Sequence, residues 1–152
     1  MTVTRKDART TLAGLLSTAL TGVISNKPKA APEDPDVPAV YRGQVANFQK
    51  ARSAVVVSSS GSTPEIIASA SHILINTLTV DTFVLYADPD ANWDEEQAED
   101  LLDEISAAIA DVISNNQQTT DWSQIDWIES RTDPVSVGGT EYRHERITLK
   151  LS

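Results

Sequence analysis

Eight apolar residues, Ala98, Leu101, Leu102, Ile105, Ala108, Ile109, Val112 and Ile113, recur at helical spacing. No other stripe in the chain is as regular, and it dictates a helix with one face that must be buried. Asp94, Glu95 and Glu96 fall in its first turn, where the helix dipole favours negative charge. The surface that can bury this face is β-prone. A long run from about His72 to Tyr86 is rich in Ile, Val, Thr, Phe and Tyr. Its alternation slips: Ile73 and Ile75 share one parity, Leu78 and Val80 the other. The slip implies either a bulge or a strand buried on both faces in its second half.

Around this pair the other elements fall into place. A first helix spans about Arg5 to Ile24, with Thr4 and Asp7 placed as a capping box that uses Asp for Glu. Residues Asn26 to Pro38 hold four prolines, three acids and two lysines with no apolar period, and read as a loop or arm. Ala39–Tyr41 is a short strand and Ala54–Val57 a firmer one, ended by a turn over Ser58–Ser62. Asp88–Asn92 is turn chemistry, and Trp122–Arg131 is a further strand, with Trp127 expected in the core. Val137-Gly138-Gly139-Thr140 forms a hairpin turn into a closing strand, where Ile147, Leu149 and Leu151 alternate with Arg146, Thr148 and Lys150. The order predicts one α+β domain over residues 1–152: a mainly antiparallel sheet of four to five strands with two main helices packed on it.

At 152 residues the chain can bury a core without staples, and the absence of cysteine removes disulfides, thiolate catalysis and cysteine-ligated zinc. Charge is segregated. From Ser53 to Ser130 there are fifteen Asp and Glu and no Lys or Arg, while the ends carry all twelve basic residues against seven acids. The middle sums to −15 and the ends to +5, so copies of the chain can pack acidic part against basic part. The same field repels a nucleic-acid backbone. No run approaches the ~18 apolar residues of a membrane span. Asp7 and its polar neighbours argue against a secretory signal, so a cytoplasm-like compartment is expected.

Motifs that carry chemistry are few. Asp88, Asp90, Asn92, Asp94, Glu96 and Glu99 follow the ligand spacing of a calcium-binding loop, but Trp93 stands where that loop needs its turn-making glycine. An acidic strand-to-helix turn with an N-cap is the simpler reading. Ser58–Pro64 lacks the Gly-Lys-Ser/Thr ending of a phosphate loop and is expected to be a hairpin or inter-subunit loop. His72 and His144 lack a nucleophile elbow and read as structural histidines. Asp100, Asp103 and Glu104 lie on the polar face of the second helix, solvated or facing a basic neighbour. No catalytic residue, metal or cofactor is therefore expected. Interface candidates are Lys27 and Lys29 in the arm, Trp93 at the helix start, and Arg143 and Arg146 near the C-terminal end.

Several segments taken together resemble a known family. They are Thr4-Arg5-Lys6-Asp7-Ala8-Arg9, Ala54-Val55-Val56-Val57-Ser58-Ser59, Asp81-Thr82-Phe83-Val84-Leu85-Tyr86-Ala87 with Asn92-Trp93-Asp94-Glu95, and Val135-Ser136-Val137-Gly138-Gly139-Thr140-Glu141-Tyr142-Arg143. In this order they resemble the tail terminator, or tail completion, proteins of long-tailed bacteriophages (siphophages). The resemblance implies a small α+β subunit that forms a hexameric ring, caps the tail tube and docks to the head connector. It implies a place in the virion at the head–tail junction, after assembly in the bacterial cytoplasm, with genomic DNA passing the lumen without specific binding. A basic end would then contact neighbours, and the proline-rich arm would be a docking segment. Competing readings are a head-closure or neck adaptor, a tail-tube subunit and, from another class, an acidic DNA-mimic inhibitor.

Overall fold

The computed structural model describes residues 4–21, 38–45, 47–48, 51–68, 71–87 and 93–152. Its elements are α1 (Arg5–Leu20), β1 (Ala39–Tyr41), β2 (Ser53–Ala68), β3 (Ser71–Leu85), α2 (Glu95–Asn115), β4 (Ile125–Val137) and β5 (Thr140–Leu151). The strands form one sheet in the order β1-β2-β3-β5-β4, with β1 parallel to β2 and every other pair antiparallel. This is the predicted α+β class.

Each helix starts where its sequence provides an acceptor for the first unpaired N–H groups. The Asp7 N–H donates to the Thr4 hydroxyl at 3.2 Å. At α2 the box is reciprocal: the Gln97 N–H donates to Asp94 at 2.9 Å, and the Asp94 N–H donates to the Gln97 side chain at 3.0 Å. The β4–β5 hairpin turns at Gly138 and Gly139, whose φ of 57° and 82° is the left-handed pair that a two-residue turn requires.

Both helices lie on one face of the sheet. Leu12, Leu16 and Leu20 of α1 and Leu102, Ile105 and Ile109 of α2 meet Val55, Val57, Leu78, Val80, Ile147 and Leu149 in the main core. The helices rest on β1, β2, β3 and β5. On the opposite face a smaller cluster gathers Phe48, Ala54, Val56 and Tyr142, with Phe83 and Tyr41 packed against it.

Two expectations are corrected and an alternative is decided. Ser58–Ser62 is not a turn: β2 runs through it, because the long β3 supplies a ladder that overrides the turn propensity of Ser and Gly. Of the two grounds named for the slip in the β-prone run, burial on both faces holds and a bulge in that run does not. The bulge sits in the partner β2 between Ser59 and Gly61, and β3 from Leu78 to Thr82 is buried on both faces. Trp127 is not core but 37 % exposed, since β4 lies beyond the reach of the helices.

Candidate functional site

Two surfaces collect polar and unpartnered groups. The first is the helix-free face over β3, β5 and β4. The pleat places Asp81 of β3, His144 and Arg146 of β5, and Arg131 and Asp133 of β4 on this side, because Asp81 is opposite Arg146 and His144 opposite Asp133. His144 Nε2 lies 2.6 Å from Asp81 Oδ1 and its Nδ1 lies 2.9 Å from Asp133 Oδ1. Two carboxylates on two ring nitrogens require an N–H at each, which is the imidazolium form. The ring stacks on Phe83 at 4.7 Å between centroids. Arg146 Nε donates to the same Asp81 oxygen at 2.8 Å.

The titration behaviour follows from this geometry. Burial opposes the charge on His144, but hydrogen bonds to Asp81 and Asp133 outweigh it and raise its pKa above the ordinary histidine value. Burial likewise opposes the charge of Asp81, and bonds from His144 and Arg146 outweigh it, so this carboxyl titrates below the usual range. With both ring nitrogens committed to carboxylates, His144 is no metal donor. Among the described residues no group of three His, Asp or Glu side chains is arranged to hold a metal ion. The groove beside this network has a volume of about 510 Å³ and is open, lined by Glu129, Arg131, Asp133, His144 and Arg146 among others. With Asp81 beneath it counted, three acids and three cations balance.

The second surface is the outer part of the helix side. The helix layer ends over β5, where Glu99 of α2 pairs with Arg143 at 2.5 Å and Ser106 donates to Glu145. Beyond that line, Trp127, Ser130 and Thr132 of β4 face the helix side uncovered, in register with Leu149, Ile147 and Glu145. A bulge between Trp127 and Glu129 adds Ile128, which is 48 % exposed. Burial, Asp103 and the opposing effect of His144 act on Glu145, with a net rise in its pKa.

The predicted site residues divide. Asp94 caps α2 and Glu99 pairs with Arg143, so both have protein partners. Asp88, Asp90 and Asn92 lie outside the described residues, as do Lys27, Lys29 and most of the arm over 26–38. Trp93, an interface candidate from the sequence, packs within the protomer. It is 7 % exposed, its indole N–H donates to the Leu85 carbonyl at 2.6 Å, and the Arg52 guanidinium covers its ring at 4.5 Å. Arg143 and Arg146 stand on opposite faces of β5 and engage Glu99 and Asp81. Sequence reasoning missed Asp81 and Asp133. The signal for Asp81 was its place as the one acid in β3.

Compared with protein-family models and with curated proteins, the sequence matches none. Among the described residues no helix is long and apolar enough to cross a membrane.

Proposed function

We propose that this chain is a ring-forming structural subunit of the tail terminator kind, which closes the tail tube of a long-tailed phage and joins it to the head connector. The observation that carries the assembly part is the incomplete helix layer. A protomer that leaves Trp127 and Ile128 exposed on a bare sheet row presents a surface that another subunit would cover. The phage context comes from the resemblance of the sequence segments.

Two further features support a closed ring over an open filament. The outer edge of β4 carries Asp126, Glu129, Arg131 and Asp133, a bulge and Pro134, all of which discourage strand-to-strand addition. Contact therefore falls to side-chain surfaces, which can close by rotation. The outward face of α2 carries Glu95, Glu96, Asp100, Asp103, Glu104 and Asp111, and the helix has no basic residue. Turned toward a lumen, part of that face would pass DNA without binding it.

Native mass spectrometry of the purified chain, alone and with purified tail tubes, tests the proposal. A closed hexamer, or a monomer converted to one by tube ends, is expected. Open stacks would favour a tail-tube subunit, and a monomer indifferent to tubes would defeat the ring reading and bring the DNA-mimic reading forward.

A further inference from the structure

The bare row of β4 and the flank of α2 form a notch with two chemically different ends. At one end, beside the Glu99–Arg143 pair, are Asp103 and Glu145, where burial and the charge of Asp103 both disfavour a second carboxylate at Glu145. At the other are Trp127 and Ile128. The notch thus asks for a cation at one end and a closely approaching, small-residue surface at the other.

Helix α1 offers that sequence of chemistry on its exposed side. Arg5, Lys6 and Arg9 stand at its N-terminal end, where the helix dipole is already positive, and none has an ion-pair partner among the described residues. Lys6 is on the exposed side itself, while Arg9 is half-buried at its margin, with its Nε buried and without an acceptor. Thr10, Gly14 and Ser17 follow along the exposed side. Gly14 weakens a helix interior, and a Cβ built there meets nothing within 4 Å, so nothing among the described residues requires a glycine. The lengths agree: Lys6 to Ser17 rises about 16 Å along a helix, and Thr132 to Trp127 spans about 16 Å along a strand.

We propose that the notch receives the exposed side of α1 from a second copy of this chain. Lys6 and Arg9 meet Asp103 and Glu145, and Gly14 and Ser17 pack against Trp127. The contact is head-to-tail, because notch and helix are different surfaces of one protomer, and a head-to-tail contact makes a ring when its rotation closes and a filament when it does not. This inference rests on the ring reading and names the surfaces that make it.

The test uses sedimentation of the full chain with Trp emission as a second readout. Gly14→Ala should raise the thermal midpoint yet weaken self-association at least tenfold, a pair of effects that misfolding cannot produce. A Lys6→Glu, Arg9→Glu double variant and an Asp103→Lys variant should each fail to assemble alone and assemble when mixed, since alternating copies restore opposite charges at every contact. Trp127 emission should shift to the blue on assembly. An oligomer indifferent to these variants would overturn the inference and leave the ring reading intact. No oligomer under any condition, tube ends included, would overturn both.

Discussion

Asp81 governs the chemistry of the open sheet face because it is 2 % exposed and shared by two cationic partners. Asp133 makes the same kind of bond to His144, but its side chain is 62 % exposed. The two acids should therefore differ sharply in worth. Asp81→Asn leaves His144 and Arg146 without their buried anion and should cost about 3 kcal/mol. Asp133→Asn should cost less than about 1 kcal/mol, since water replaces the exposed partner. Urea denaturation of the two variants decides it, and equal losses would contradict the burial argument. The pH dependence has a definite sign. His144 titrates higher in the fold than in the unfolded chain, so its contribution is complete below about pH 6.5 and lost as pH rises through the raised value. Asp81 titrates lower, so its contribution is present above about pH 3.9 and lost as pH falls through the depressed value. Urea midpoints should fall between pH 5.5 and 8.5 in the wild type and stay flatter in His144→Asn. The sequence showed an acid inside an apolar strand but not its partners, because His144 lies 63 positions away and only strand pairing brings it near.

Helix α2 is the element whose sequence and structure agree most closely, since its stripe, its acidic first turn and its cap all point one way. Its reciprocal capping box makes Asp94→Ala a clean probe. The substitution should cost about 1 kcal/mol and lower the denaturation midpoint without altering assembly, as the cap touches neither proposed surface. Strands were less legible, for a physical reason. β2 continues through Ser58, Gly61 and Pro64 because β3 pairs with it over that length, and the Ser58 and Thr79 hydroxyls bond across the pair at 2.8 Å. Pro64 is tolerated because, among the described residues, β1 covers only Ala54–Val56 and the rest of β2 lies on the sheet edge, where proline is found. β4 was expected to end at Arg131 and runs to Val137, since the Gly138-Gly139 turn carries the pairing past Pro134 on an edge strand. Local propensity predicts these segments poorly because their conformation is set by a partner distant in sequence.

At the scale of the whole molecule, the charge segregation read along the chain becomes a separation in space. The outward acids of α2 lie on one surface, and Arg5, Lys6 and Arg9 sit at the start of α1, with only Glu99 among the α2 acids ion-paired in the described residues. Each cluster repels itself in an isolated protomer, and a second copy brings the opposite sign. Self-association should therefore weaken as salt rises, because the screening length falls from about 10 Å at 0.1 M to about 3 Å at 1 M. A contact made by Trp127 and Ile128 alone would not weaken, since burial of apolar surface does not depend on charge. Sedimentation velocity in 0.1 M and 1 M NaCl separates the two. At least a tenfold loss of association is expected, on the order of 1.4 kcal/mol. The thermal midpoint of the protomer should move little over the same range, because the apolar helix–sheet core, with Leu16, Ile105 and Ile147 fully buried, is indifferent to screening. Association that strengthened with salt would place the contact on the apolar row and remove the charged end from it.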